Sequence, residues 1–421
     1  MTAPLKVAIN AQLSSTMISG VIRVMTGLIH TLGQLSDGDE QYTIITAPGD
    51  SDWVKPFLGA NQRVVEPTTG ELPTLRSRSN PLRPLALKAR QIGRRFLGVS
   101  DPPLQVPYSN GFYESLGCDL IHFPYQRFTI TALPFIYQPW DLQHRHYPQF
   151  FTPADVAWRE VLYRTGCSMA QRVVVSAAYT GHDVHESYGV PLRRIHHIPL
   201  GSPLHSYHRT ASDPAAVLRQ YQITAPFALY PAQTWAHKNH LRLLEAIALL
   251  RDRDGLRVNV VCTGVKTDFW ETIAAALTRL RLEDQVRFLG QVPEDDLRAL
   301  YEQADFLVFP SLFEGFGIPP LEAWQAGKAV ASSSAASLAE LVGDAGLLFD
   351  PFSVEAIADA VKRLATSPDL RAEYARRGAA RLRTFDWTLC ARRFRALYRS
   401  VGGRSLSDED RALLEGTLSW V

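Results

Sequence analysis

From residue 227 onward the chain alternates short, largely apolar segments with longer ones that are apolar on one face only, and this alternation leaves few folds open. Residues 227–230, 256–263, 286–289, 306–309 and 328–332 read as strands; 239–250, 268–280, 294–303 and 319–327 read as the helices between them. A strand that is apolar on both faces must be covered on both. That requires a parallel sheet with helices on either side, the α/β doubly wound arrangement. The first half repeats the pattern less regularly. Strands are expected at 6–10, 42–46, 120–123, 135–138, 172–175 and 195–198, with helices at 20–35, 153–170 and 177–188.

Residues 201–226 are weakly patterned and contain Pro203, Pro214 and Pro226, so the join between two halves is placed there. This gives an N-terminal domain of 1–205 and a second domain of 220–399. Three helical segments are expected to close the chain, the last beginning near residue 387, and a C-terminal helix of about 400–421 is expected to pack back on the first domain. A net charge of +2 gives no general attraction to nucleic acid. No apolar run approaches the ~20 residues needed to cross a bilayer. The start reads as a short approach to the first strand, and the protein is expected to be cytoplasmic. Cys118, Cys167, Cys262 and Cys390 are widely spaced among apolar neighbours and read as buried free thiols.

The densest chemical signal runs from Phe309 to Ala323 (FPSLFEGFGIPPLEA). A buried strand ends, Gly315 and Gly317 follow, and prolines 319 and 320 open a helix, a position that tolerates proline. In doubly wound sheets ligands bind beyond the carboxyl ends of the strands. Glycines let backbone N–H groups approach closely, and a helix N-terminus favours an anion such as a diphosphate. Glu314 and Glu322 frame this turn; carboxylates accept hydrogen bonds from vicinal hydroxyls of sugars and ribose. Taken alone, Glu322 also reads as an acid near a helix start that offsets the macrodipole. In the segment Tyr230–His240, Lys238 precedes another helix. A cation beside a positive helix end is unfavourable unless an anion lies between them. The plainer alternative is a solvated lysine before an Asn239 N-cap.

With these strings in view, the second half resembles the family 4 glycosyltransferases, whose GT-B fold has two facing Rossmann-like domains. The resemblance is close over about 227–398 and looser over the first half. It implies a retaining enzyme that moves a hexose from a nucleotide-diphosphate sugar, with the donor in the second domain and the acceptor in the first. It places Glu314 at the donor sugar, Glu322 at the ribose and Lys238 at the diphosphate. Gly315, Phe316, Gly317, Ile318 and Leu321 join the donor-binding set, and Val292 lies by the nucleobase in a loop similar to the family's. Where many members carry a diphosphate-binding arginine, this chain has Gln233. Gly20, in Ser19-Gly-Val-Ile-Arg23, resembles the glycine of the loop after the first strand. In 138–144 (QPWDLQH), Trp140 stands where the family often has histidine and Asp141 is retained. Asp141 is expected to be catalytic, and Trp140 and His144 to bind the acceptor; His144 also reads as an ordinary loop histidine.

The resemblance implies no metal and no cofactor: the nucleotide sugar is a co-substrate, and Lys238 and helix N-termini stabilise the leaving diphosphate. Partners are the donor and a glycan or lipid-linked acceptor. The strings around Lys238 and Asp141 look like envelope-polysaccharide members, which makes mannose from GDP-mannose the first expectation. Two other readings stay open: an epimerase of the same fold, and a nucleotide-sugar-binding protein without turnover. Between 72 and 100 there is no acid but seven bases, Arg76, Arg78, Arg83, Lys88, Arg90, Arg94 and Arg95. They read either as a solvated insertion or, over 76–97, as a peripheral contact with an anionic membrane.

Overall fold

The computed structural model describes residues 3–13, 20–67, 104–202 and 213–419. Two parallel sheets form its two halves. The first has the order β3-β2-β1-β4-β5-β6-β7. Its strands are β1 (Lys6–Asn10), β2 (Gln41–Ile45), β3 (Gln62–Val65), β4 (Leu120–Phe123), β5 (Phe135–Tyr137), β6 (Arg172–Val175) and β7 (Ile195–His197). The second has the order β10-β9-β8-β11-β12-β13. It comprises β8 (Ala228–Pro231), β9 (Val260–Thr263), β10 (Val286–Phe288), β11 (Phe306–Phe309), β12 (Ala329–Ser333) and β13 (Leu347–Phe349).

Most expected strands appear within a residue or two of their places. The run at 256–263 forms a strand only from Val260, and the alternation did not reveal β3 or β13. The short β3 segment QRVV is half exposed at the sheet edge, so it lacks the apolar signature of its neighbours. A seven-residue helix, Pro214–Gln220, lies inside the stretch taken as the join; Asp213 caps it and Val217 is buried. Four helices close the chain, not three: Val354–Thr366, Pro368–Leu382, Trp387–Val401 and Asp408–Gly416. All four cysteines are buried and free.

The chain returns to the first half from about Trp387, earlier than residue 399. The Trp387 ring fills the space over Gly27 and Gly201, where a Cβ on either glycine would collide with it, and its Nε1 donates to Ser202 O at 2.6 Å. Farther along, the Tyr398 hydroxyl meets His122 Nδ1 at 2.9 Å beneath the first sheet. Arg395 pairs with Asp37, and Arg399 pairs with Glu40 at 2.6 Å and Asp410 at 3.0 Å. These partly buried guanidinium–carboxylate pairs fix the direction of the last two helices. No helix among the described residues is long and apolar enough to cross a membrane.

In both sheets the strand order reverses beside the first strand of the half, between β1 and β4 and between β8 and β11. The crevice at the carboxyl ends of such a pair is where doubly wound sheets hold ligands. The loop after β8 carries Lys238 and the loop after β11 carries Glu314, so the second switch point is lined by both residues singled out above.

Candidate active site

The Lys238 and Glu314 loops are tied together before their side chains meet. Leu312 N donates to His237 O at 2.8 Å. Asn239 adopts a left-handed backbone (φ 63°), and its buried side chain makes no cap. Instead Nδ2 donates to Pro310 O at 3.0 Å and to Pro351 O at 2.8 Å, which fastens the end of the Lys238 loop to the start of the Glu314 loop. Tyr230 donates its hydroxyl to Lys238 O. Ser337 Oγ contacts Glu314 O at 2.7 Å and Phe316 O at 3.2 Å.

On this frame Lys238 Nζ donates to Glu314 Oε1 at 2.6 Å, with the Phe309 ring 5.8 Å from the ammonium. Both side chains are largely enclosed, so the lysine is not the solvated cation of the plain reading. Burial, together with the charges of Lys238 and Arg159, lowers the pKa of the neighbouring His237 to about 2, so that imidazole is neutral at physiological pH.

Gly317 (φ 110°) turns the chain from the glutamate loop into the helix Ile318–Gln325, a conformation that favours glycine. A Cβ there would also lie 2.7 Å from Leu338. Pro319 and Pro320 follow in the first turn, and Glu322 lies in the second, buried. It does not offset the helix start from the first turn. Arg23 of the helix Gly20–Gln34 pairs with one of its oxygens, and Tyr301 Oη donates to the other at 2.6 Å. Gly20 opens that helix against the start of the Ile318 helix: a Cβ on Gly20 would lie 2.8 Å from Ile318 Cδ1. Two helix N-termini, one from each half and neither with an acid in its first turn, therefore meet beside Lys238, Glu314 and Glu322. Such ends offer partial positive charge to an anion, although Pro319 and Pro320 contribute no N–H at the start of the Ile318 helix.

Other expected donor residues differ in what they offer. Gln233 is partly exposed, but its Oε1 accepts from Trp235 Nε1 at 2.7 Å. Val292 is buried in the loop after β10, at the same end of the sheet. Phe316 is buried with its ring against Phe385, and Leu321 is wholly in the core, so its side chain does not face a donor. Gly315 touches the first half: a Cβ on it would lie 2.5 Å from Trp140 O and 3.2 Å from Asp141 Cβ.

On the acceptor side the structure revises two expectations. Trp140 has positive φ (70°), its indole is buried, and Nε1 donates to Pro124 O at 2.7 Å. It contributes a backbone carbonyl facing Gly315, not an aromatic surface for an acceptor. His144 is also buried, with Nε2 3.3 Å from Glu160 and its ring edge-on to Tyr163. Burial lowers its pKa to about 4 despite the Glu160 contact, so it is a core histidine. The neighbour that reaches the cleft is His146, missed by the sequence reading. Its Nε2 lies 2.7 Å from Asp183 Oδ2 and its ring stacks on Phe313 at 5.1 Å, directly before Glu314. Asp141 accepts from Gln143 N at 3.0 Å, and burial, helped by the charges of Glu314 and Asp183, raises its pKa. Among the described residues no three His, Cys, Asp or Glu side chains group as a metal site. The basic segment 72–100, with the expected membrane contact at 76–97, lies outside the described residues, as do residues 14–19 before Gly20.

Residues 219–381 match the family "Glycosyl transferases group 1". The second half is a group 1 glycosyl transferase domain. The O-antigen chain mannosyltransferase B of Escherichia coli is 30% identical over 244 residues, 58% of this chain and 64% of that protein. A D-inositol 3-phosphate glycosyltransferase of Corynebacterium glutamicum is 33% identical over 163 residues, 37% of this chain and 39% of that one. The chain thus matches less than two thirds of the length of these relatives. Among solved structures, sucrose-phosphate synthase of Thermosynechococcus elongatus superimposes with a TM-score of 0.69 at 18% identity, over 95% of this chain and 100% of that one. Anabaena HepE with UDP and glucose gives 0.65 at 17% identity, over 94% and 100%. The group 1 domain with its facing partner has the GT-B fold, two parallel-sheet α/β halves.

Proposed function

We propose that this protein is a retaining glycosyltransferase that moves a hexose, mannose from GDP-mannose in the first instance, to a glycan or lipid-linked acceptor in envelope polysaccharide synthesis. The observation that carries the reading is the meeting of two helix N-termini, from opposite halves, beside the Lys238–Glu314 pair and Glu322. Such a place suits a ligand in which a diphosphate joins a sugar at one end to a ribose at the other. The helix ends and Lys238 take the diphosphate, Glu322 takes the ribose hydroxyls, and Glu314 lies at the donor sugar. Electrostatic stabilisation of the leaving diphosphate by fixed dipoles and one ammonium needs no metal in this scheme. The choice of mannose rests on the matched relatives, which include Escherichia coli and Salmonella typhimurium O-antigen chain mannosyltransferases.

The reaction is taken to occur on the cytoplasmic side of a membrane. There the bases of 76–97 would hold the protein to an anionic surface, each contributing ~1 kcal/mol near the bilayer. Co-sedimentation with anionic vesicles that weakens at high salt checks this part, and absence of binding at low salt removes it.

The central test is calorimetric titration with GDP- and UDP-sugars, followed by product analysis with and without a glycan acceptor in EDTA. Binding of one donor and acceptor-dependent release of its nucleoside diphosphate with retained anomeric configuration is expected. Conversion of the nucleotide sugar without acceptor would identify an epimerase instead; binding without turnover would identify a binding protein. Loss of turnover in EDTA, restored by a divalent ion, would overturn the metal-free scheme.

A further inference from the structure

Arg23 belongs to the first half, yet its guanidinium reaches the nucleotide side of the second. Nη1 donates to Glu322 Oε1, and Nε lies 3.7 Å from Glu294 Oε1. Tyr301, from the helix Glu294–Gln303, donates to the second Glu322 oxygen at 2.6 Å. The Glu322 carboxylate is thus held by one anchor from each half. Rotation about the last bond of a glutamate is soft, so a single anchor leaves the carboxylate plane loosely set, whereas two anchors on separate oxygens fix it. Each oxygen keeps further lone-pair capacity. Those sites point in defined directions only while both anchors hold, which is what two vicinal hydroxyls at fixed spacing require.

Among the described residues, neither Lys238 nor Gln233 replaces this anchor. The Lys238 ammonium is engaged with Glu314, and Gln233 carries no charge and is bonded to Trp235. The close approach of Gly20 to Ile318 keeps the start of the Arg23-bearing helix beside the Glu322-bearing helix. A Cβ at position 20 would have to displace the Ile318 δ-methyl.

We propose that Arg23 is a positioning residue for the donor ribose, supplied by the opposite half, which makes Glu322 selective for a cis-diol only when the two halves meet. This rests on Glu322 being the ribose ligand. It predicts a property that a merely structural tie between the halves would leave alone: discrimination between a ribonucleoside diphosphate and its 2′,3′-dideoxy analogue. If Arg23 only ties the halves together, its replacement weakens both ligands alike and leaves their ratio unchanged.

The experiment measures affinities of GDP and 2′,3′-dideoxy-GDP (or the uridine pair, if the wild type prefers UDP) for wild type, Arg23→Gln and Arg23→Lys. Wild type is expected to favour the ribonucleotide about tenfold or more, the worth of one charge-assisted hydrogen bond. Arg23→Gln should bring the ratio within about threefold of unity. Arg23→Lys, which keeps a charge but not the planar fork, should give a ratio between the two. If Arg23→Gln does not fold, the lysine variant carries the test. A wild-type ratio in either folded variant overturns the proposal. If the wild type binds nucleoside diphosphate but does not discriminate, the ribose role of Glu322 fails and this proposal with it. If it binds no nucleoside diphosphate at all, the proposed function itself is wrong.

Discussion

Lys238 and Glu314, 76 residues apart, form a 2.6 Å charge-assisted hydrogen bond across the switch point of the second sheet. The anion that a lysine beside a helix start calls for is therefore supplied by Glu314, the carboxylate proposed to lie at the donor sugar. A bound diphosphate would compete for that ammonium and free Glu314 to face the donor sugar. Replacing Lys238 with alanine should then weaken nucleoside diphosphate binding by about 1.5–3 kcal/mol, the range for a hydrogen bond to a charged group. The nucleoside lacking phosphates should bind nearly as before. Calorimetry with GDP and guanosine, or the uridine pair, checks this; equal losses for both would exclude a phosphate contact.

Glu322→Ala should reduce affinity for nucleoside and nucleoside diphosphate alike, again by about 1.5–3 kcal/mol. The ribose is common to both ligands, so this pattern differs from that of Lys238→Ala. The variant should also melt at lower temperature, because it removes the acceptor of the buried Tyr301 hydrogen bond and the partner of Arg23. Unchanged nucleotide affinity in the folded variant would remove Glu322 from the site.

The sequence showed the doubly wound halves because their central strands are buried on both faces, so each is a short, largely apolar run flanked by turns. Edge strand β3 carries no such mark. The glutamate loop was equally legible, since glycines, prolines and carboxylates are concentrated in fifteen consecutive residues, 309 to 323. The acceptor side was not. His144 and His146 sit two positions apart in a four-residue helix, which turns them toward opposite surroundings: one into the core against Tyr163, the other onto Phe313. Residue type alone does not say which is which. Arg23 was passed over for a different reason. Its partner lies 299 residues away, and only the packing of the two halves brings them together.

Asp141 gives a prediction in pH. Burial raises its pKa above the ordinary 3.8, so the folded protein binds a proton there more readily than the unfolded chain. Above 3.8 the unfolded chain is ionised, and keeping the carboxyl at its buried place then costs the fold stability. That cost is relieved as pH falls through the folded-state value toward 3.8. Asp141→Asn keeps an acceptor for Gln143 N while removing the charge. It should therefore raise the melting temperature at pH 7, with the gain shrinking to nothing near pH 3.8, and should lower turnover if the carboxylate takes part in the reaction. A melting temperature that falls at pH 7 would show that the charge is stabilising where it stands.

Gly315→Ala tests whether the two halves must touch at the glutamate loop. The added methyl would lie 2.5 Å from Trp140 O and 3.2 Å from Asp141 Cβ, and the nearer obstacle is backbone, which cannot swing aside as a flexible side chain would. Trp140 is itself held by its indole bond to Pro124 and by a positive φ. The loop carrying Gly315 is pinned by Ser337, so neither side has an easy way to yield. Relief must come from separating the halves locally or displacing Glu314, at a cost of about 1–3 kcal/mol for overpacking. Nucleotide affinity should fall modestly, because Lys238 and Glu322 stay on their own half. Turnover should fall much further, because it needs Glu314 and the acceptor side in register. Measuring kcat beside the dissociation constant of the nucleoside diphosphate separates the two effects. Undiminished kcat in this variant would show that the contact of Gly315 with Trp140 is not required for the reaction.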